Sequence, residues 1–301
     1  MTGFIVIDKP GGMSSQQVVT RVKRLLGCRK AGHTGTLDPL ATGVLPVALE
    51  RATRVIPFLD ETVKVYRGEL QLGLESDTYD REGKIVRRFA GELHFSRGQL
   101  EDAAAEFTGT ILQVPPVYSA VKHQGQPLYS LARRGQQVVP PPREVTVNAF
   151  VLREIELPKV TFEVTCSRGT YVRSLVHDLG RRLGCGALLT GLQRRQSGPF
   201  RLAQAVSLGE LERLEGAARR RQLLPMAEVL PAMPAVMVVD GRQREIIATG
   251  SPLPGEDLPA VGRLPEGTLC KLVDDAGNLL AIAALAREEN RVQLRMKRVF
   301  L

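Results

Sequence analysis

The chain turns on His33-Thr-Gly-Thr-Leu-Asp-Pro-Leu-Ala-Thr-Gly-Val-Leu-Pro46, a stretch in which Gly, Pro and Thr fill seven of fourteen positions. Neither a helix nor a strand interior tolerates that composition. Proline removes a backbone donor, and glycine loses the most conformational freedom on ordering. Such a loop is retained where it holds side chains in a special geometry. Asp38 is its only acidic residue. One reading makes Asp38 the cap of a short helix whose first residue is Pro39. The other makes it a carboxylate nucleophile, which needs a cation close by to stay ionised when substrate excludes water. The loop by itself leaves both open.

Outward from this loop the pattern alternates strands and helices without a repeat. Upstream, Gly3 to Asp8 reads as a short apolar strand and Lys9 to Gly12 as a turn. Ser14 or Ser15 then caps a helix with Val18, Val22, Leu25 and Leu26 on one face and Gly27 beyond its end. Downstream, Val63 to Leu72 and Lys84 to Phe89 read as an antiparallel strand pair. Ser96 and Gln99 form a capping box for a helix that turns Leu100, Ala103, Ala104 and Phe107 inward. Val114 to Pro142 holds six prolines with Tyr118, Lys122, Tyr129, Arg133 and Arg134, and reads as a mobile basic insertion. Val145 to Val151 and Val160 to Cys166 alternate as half-buried strands, and Tyr171 to Leu183 is a helix ended by Gly184. Pro225, Pro231 and Pro234 mark a boundary, after which one weak helix and several short strands make a small β-rich unit.

With 301 residues, 43% hydrophobic and 24% charged, the chain has the composition of a folded globular protein with a sizeable core. No apolar run approaches the roughly 20 residues that cross a bilayer, and the N-terminus lacks the basic start and long apolar core of a signal peptide. A cytoplasmic, non-membrane protein is expected. The four cysteines form no C-x-x-C pair and the four histidines no ligand spacing, so no metal is expected. Lys and Arg number 41 against 32 Asp and Glu, a net charge of +9 that points to an acidic partner such as nucleic acid. The excess is concentrated: Cys166 to Gln222 holds eleven Arg and no Lys against one Asp and three Glu. Arginine forks suit phosphate and carboxylate, although an Arg-rich genome gives the same pattern.

Three further segments carry candidate chemistry. In Val63-Lys-Val-Tyr-Arg-Gly-Glu-Leu70, Tyr66 is either a packed strand tyrosine or a platform for stacking a base. Ser167-Arg-Gly-Thr-Tyr-Val-Arg173 ends a strand at Gly169 and sets Tyr171 and Arg173 in the first turn of a helix, where free backbone N–H groups favour an anion. A solvated arginine is the alternative. Leu192-Gln-Arg-Arg195 is either exposed or a packing contact beside a phosphate-binding pair.

Six segments, in order, resemble the bacterial tRNA pseudouridine-55 synthases, the TruB family. They are Asp8-Lys-Pro-Gly-Gly-Met-Ser-Ser15, Gly32-His-Thr-Gly-Thr-Leu-Asp-Pro-Leu-Ala-Thr-Gly43, Lys64-Val-Tyr66, Leu72-Gly-Leu-Glu-Ser-Asp-Thr-Tyr-Asp80, Ser167-Arg-Gly-Thr-Tyr-Val-Arg173 and Leu192-Gln-Arg-Arg195. The resemblance implies an α+β pseudouridine synthase fold over residues 1–235, with a mixed, largely antiparallel central sheet flanked by helices and a thumb-like insertion at about 114–142. A small all-β, PUA-like RNA-binding domain over 236–301 follows. It makes Asp38 the nucleophile, Arg173 its ion-pair partner and Tyr66 the ring that stacks on the target uracil. Tyr171 and Leu192 line the same pocket, His33 fills the space the flipped uridine leaves, and Lys9 supports the active-site loops.

The implied reaction isomerises uridine 55 in the T arm of tRNA, with no cofactor, by a monomer that binds the T stem-loop. Arg173 is expected to lower the pKa of Asp38. Two rival readings are a non-catalytic RNA-binding or chaperone protein, which predicts a degraded Asp38 loop, and a guide-RNA-dependent synthase subunit, which is expected to lack the thumb.

Overall fold

In this computed structural model the described residues are all but 120–121, 124–125, 128–133, 135–137, 139, 256–257, 259–260, 262–263 and 289–290. The first half runs β1 (Gly3–Lys9), α1 (Ser15–Leu25), β2 (Ala31–His33), β3 (Thr42–Leu49), β4 (Lys64–Leu72), β5 (Leu74–Ser76), β6 (Ile85–Arg88), α2 (Arg97–Ala105) and β7 (Gly109–Gln113). Two short strands, β8 (Lys122–His123) and β9 (Gln126–Pro127), precede β10 (Arg143–Glu156), β11 (Lys159–Cys166), α3 (Val172–Arg182), β12 (Ala187–Ser197), β13 (Phe200–Arg201) and β14 (Val206–Ser207).

Ten of these strands form one sheet in the order β14-β1-β3-β12-β4-β11-β10-β7, with β2 added beside β3 and β13 beside β12. Only β1 with β14 and β3 with β12 pair in parallel, so the sheet is mixed and largely antiparallel. The β3–β12 contact is short, with Thr42 opposite Gln193 and Gly43 opposite Arg194, and it lies where the irregular segment 34–41 ends; Thr42 to Pro46, expected as loop, is strand, paired along β1 from Gly43.

Strand alternation explains how β1 is buried on both sides. Ile5 and Ile7 face the cluster built with Val18 and Val22 of α1, Leu100 of α2 and Leu175 and Leu179 of α3. Phe4 and Val6 face the opposite way, against Phe200 and the C-terminal residues Val273, Leu279, Ile282 and Phe300. Val273, Leu279 and Ile282 belong to a second sheet, and Phe300 directly follows its last strand. The sheet comprises β15 (Ala235–Met237), β16 (Leu253–Pro254), β17 (Leu269–Val273), β18 (Leu279–Glu288) and β19 (Arg291–Val299), in the order β15-β17-β18-β19-β16. A helix at Gly241–Thr249, capped by Asp240, accompanies it.

Local signals in the sequence locate most elements. Ser14 and Ser96 close capping boxes with Gln17 and Gln99, as their spacing predicts. Three further expectations are corrected. The 63–72 strand does not pair with 84–89, because both edges of β4 are taken by β11 and β12, and β6 pairs with β5 instead. Asp38 caps no helix: its carbonyl accepts from Ala41 N–H at 3.1 Å in a turn over Pro39. The 145–151 strand extends over 143–156, since β7 and β11 continue its ladder on either side. Of the basic insertion, Tyr129 and Arg133 lie outside the described residues.

Gly43 is where the sheet packs backbone most tightly against backbone. It has φ +95°, and a Cβ there would lie 2.3 Å from the carbonyl oxygen of Arg194. Gly43→Ala should lose more than about 2 kcal/mol of stability in denaturant unfolding, from both the left-handed backbone and the clash. Gly12→Ala is the control, since Gly12 has φ +80° but nothing within 4 Å of the new carbon. It should lose only about 1 kcal/mol.

Candidate active site

Three polar side chains shape the Asp38 loop by gripping its backbone. From below, the buried Lys9 ammonium donates to the carbonyls of Pro10 (2.9 Å), Met13 (2.6 Å) and Pro39 (3.1 Å). Ser15 Oγ both donates to the Leu37 carbonyl (3.0 Å) and accepts from the Leu37 N–H (2.8 Å). On the far side, Arg194 has no exposed surface, and its guanidinium donates to the carbonyls of Val44 (2.8 Å), Gly35 (3.1 Å) and Thr36 (3.5 Å). Charge-assisted bonds of this kind are each worth about 1.5–3 kcal/mol. Together they fix a segment whose composition disfavours order.

Arg173 reaches the loop from the first turn of α3. Its Nε lies 2.9 Å from Asp38 Oδ2, and its Nη2 donates to Asp38 Oδ1 at 3.1 Å and to the Tyr118 carbonyl at 3.0 Å. The other nitrogen, Nη1, donates to the Thr78 carbonyl (3.0 Å) and to Asp80 Oδ2 (3.3 Å). Asp80 is itself held by Thr78 Oγ1 (2.7 Å) and the Glu82 N–H (3.0 Å). The intervening Tyr79 takes φ +64° and stacks its ring on His177, with centroids 3.9 Å apart. At the head of α3, the Tyr171 N–H donates to Gln113 Oε1 (2.7 Å), and Gln113 Nε2 returns a bond to the Tyr171 carbonyl (3.1 Å).

These contacts frame a cleft of about 420 Å³, a ligand-sized volume, lined by Asp38, Arg173, Tyr66, Tyr171, Leu192 and His33. Six of the seven residues expected from the sequence thus converge. Lys9 does not line the cleft but supports its floor. The solvated reading of Arg173 fails, since the residue is 4% exposed. In Leu192-Gln-Arg-Arg195, Leu192 faces the cleft and Arg194 is internal, while Arg195 alternates to the opposite face. Sequence reasoning gave no role to Asp80 or Gln113, and its reading of Arg194 as half of a phosphate-binding pair is corrected: the guanidinium is enclosed and spent on backbone carbonyls. Asp80 does close the Leu72–Asp80 motif, but its partner is 93 residues away.

Arg173 lowers the pKa of Asp38 as expected, but burial outweighs it. Burial pushes the Asp38 carboxyl above its ordinary pKa, and the second carboxylate at Asp80 adds to this. Arg173, with Lys9 behind it, pulls the other way without winning. Arg173 is one cation shared by two carboxylates. Burial lowers Lys9 to about 8 against the pull of Asp38. His33 is lowered by burial first and by Arg194 next, which favours a neutral ring.

Residues 23–172 match the TruB family pseudouridylate synthase N-terminal domain, and residues 173–231 match the tRNA pseudouridylate synthase B C-terminal domain. A tRNA pseudouridine synthase B from Geobacter sulfurreducens is 46% identical over all of both chains. The chain belongs to the TruB family. A second relative of the same description, from Syntrophotalea carbinolica, is 43% identical over all of this chain and 98% of its own. Among solved structures, a Cbf5-Nop10-Gar1 complex aligns with TM-score 0.74 and 28% identity, covering 99% of this chain and 85% of that one. An H/ACA RNP bound to a substrate RNA containing 2'-deoxyuridine aligns with TM-score 0.74 and 27% identity over the same shares. The fold is therefore that of the pseudouridine synthases, with the C-terminal β domain present.

A carboxyl whose pKa is raised on folding binds more protons in the native state than in the unfolded one. Stability then falls as pH rises through that window and stays lower above it. Asp38→Asn removes the penalty, so at neutral pH its Tm should equal or exceed that of the parent, and the difference should vanish in acid. A lower Tm at neutral pH would show that the ion pair holds the fold together.

Proposed function

We propose that the chain, acting alone, converts uridine 55 in the T arm of tRNA to pseudouridine, with Asp38 as the nucleophile. That it is a pseudouridine synthase, an isomerase, follows from its family. The observation that carries the finer reading is the Asp38 carboxylate held against Arg173 in a cleft that also presents the Tyr66 ring. Relatives described as tRNA pseudouridine synthase B, at 43–46% identity over the whole chain, favour a stand-alone tRNA enzyme over the guide-RNA assemblies, whose solved members are 27–28% identical.

In this reaction the bond between ribose C1' and uracil N1 breaks, the base turns, and C5 joins C1'. A proton leaves C5 and another is gained at N1, so nothing is oxidised or hydrolysed. Attack at C1' and attack on the uracil ring both need one ionised carboxylate, and this chain supplies it at Asp38. Arg173 aims that carboxylate through two contacts and disperses its charge. Extruding the uridine costs a few kcal/mol. Stacking on Tyr66 returns ~1 to 3 kcal/mol of it, with Leu192 and Tyr171 closing the sides and His33 taking the vacated space. Residues 236–301, read as a PUA-like domain, and the exposed arginines bind RNA phosphates without choosing the base. Much of the arginine excess is spoken for internally: Arg182 pairs with Glu106, and Arg219 donates to the carbonyls of Leu25, Leu211 and Glu212. The protein is read as a cytoplasmic monomer that needs neither metal nor cofactor.

The direct test is to incubate the purified protein alone with unmodified tRNA and map pseudouridine. Modification at position 55 is expected; none, or modification only with an added guide RNA, would overturn the reading. Asp38→Asn should bind tRNA normally and lose at least about a thousandfold in single-turnover rate. Tyr66→Phe should keep most activity and Tyr66→Leu should not, if stacking is what the ring supplies. The single-turnover rate should rise with pH through one ionisation above the ordinary carboxylate value, because only the ionised Asp38 attacks. A flat profile down to the ordinary carboxylate range would contradict the raised pKa.

A further inference from the structure

Lys64 stands two residues before Tyr66 on β4, so both side chains leave the same face of the sheet and both line the cleft. Lys64 is 7% exposed, and among the described residues its ammonium makes no hydrogen bond and no ion pair. That is an expensive arrangement for a cation unless something absent from the free chain completes it. Its surroundings differ from those of Asp38. The charges that act on Lys64 are Arg194, Glu61 and Arg168, and burial followed by Arg194 lowers it to about 8. Glu61 lies beyond ion-pair distance of Lys64, and its own contact is with Arg168 at 3.9 Å. Three cations therefore face one carboxylate.

The neighbouring polar atoms point the same way. Among the described residues Thr34 Oγ1 is buried without a partner and Thr170 Oγ1 has only the weakly bonding Cys166 thiol; both residues line the cleft, and each hydroxyl can donate. Arg143 and Arg168 also line it, the latter largely exposed. An uncharged uracil edge would leave the Lys64 charge uncompensated; a phosphodiester would not. Residues i and i+2 of a strand are about 6.6 Å apart, which suits a base on Tyr66 and a backbone phosphate of the same RNA on Lys64.

We infer that this end of the cleft is a phosphate subsite, in which the Lys64 ammonium, assisted by the Thr34 and Thr170 hydroxyls, binds a phosphodiester flanking the flipped uridine. The inference rests on the RNA substrate proposed above and adds to it a second anchoring point, separate from Asp38.

The experiment measures binding of an unmodified T-arm stem-loop across a salt series, for the parent and for Lys64→Met and Lys64→Gln in parallel, each checked for parent-like circular dichroism. Parent activity on the stem-loop is established first; its absence would overturn the tRNA reading and this inference with it. Loss of one phosphate contact should weaken binding at low salt by about tenfold to a hundredfold. It should also reduce the slope of log affinity against log salt by ~0.7 to 0.9. A stem-loop carrying a neutral methylphosphonate on the 5' or the 3' side of the target uridine should reproduce the loss with the parent at one of those positions. At that position the Lys64 variants should lose nothing more. Either folded variant binding with the parent's affinity and slope overturns the assignment. So does a weakened variant with an unchanged slope whose defect adds fully to both methylphosphonates, since Lys64 would then be touching the base.

Discussion

A buried guanidinium that pairs with no carboxylate among the described residues holds this site together. Arg194 is fully enclosed; it donates to three carbonyls of the loop and strand that carry Asp38 into the sheet, and it also contacts the Tyr66 hydroxyl. Removing a cation from water costs several kcal/mol even after relaxation, and only good geometry with several hydrogen bonds offsets it. The cost explains why the surrounding backbone has so little latitude. Gly43 must be glycine because β3 passes against the backbone of the residue that supplies the guanidinium. Tyr66 is brought opposite Arg194 by the β4–β12 register. Loop, stacking ring and parallel strand contact are thus one construction at the centre of the sheet.

Charge within that construction is unevenly matched. Lys9, Lys64, Arg173 and Arg194 are all less than a tenth exposed, while the carboxylates among them are Asp38, Asp80 and Glu61. Arg173 is divided between two of these, and burial, with Asp80 adding to it, leaves Asp38 more basic than an ordinary aspartate. An interior of this kind is suited to a polyanionic substrate, since buried cations in excess of carboxylates carry an electrostatic cost in the free protein. Stability is traded for function at the same residues.

How much of this was legible in the sequence follows from the range of the signals. Ser14 with Gln17, Ser96 with Gln99 and the glycines after α1 and α3 are local, and their reading holds. Strand pairing is not local. The 63–72 segment and the 84–89 segment both look like strands, but nothing within either reveals that β11 and β12, drawn from a hundred residues later, occupy both edges of β4. The same holds for the core shared between Phe4 and Val6 at one end of the chain and Ile282 and Phe300 at the other. In the site, the residues alone left Asp38, Arg173 and Tyr66 with bland alternatives, and only the order of six motifs set those aside. Asp80 stayed hidden and Arg194 was read as a phosphate binder because charged side chains are mostly exposed, and the burial of both depends on partners far off in sequence.

Amide hydrogen exchange across residues 34–45 in Arg194→Lys tests most directly whether this cation fixes the loop. Lysine keeps the charge but cannot reach three carbonyls from one planar group. The amides of Thr34, Leu37 and Ala41, bonded to Pro46 O, Ser15 Oγ and Asp38 O, should exchange markedly faster, with those of β4 and β11 as slow as in the parent. Unchanged protection of those three amides would show that the loop keeps its shape without the Arg194 guanidinium, and would contradict its role as the group that holds the site together.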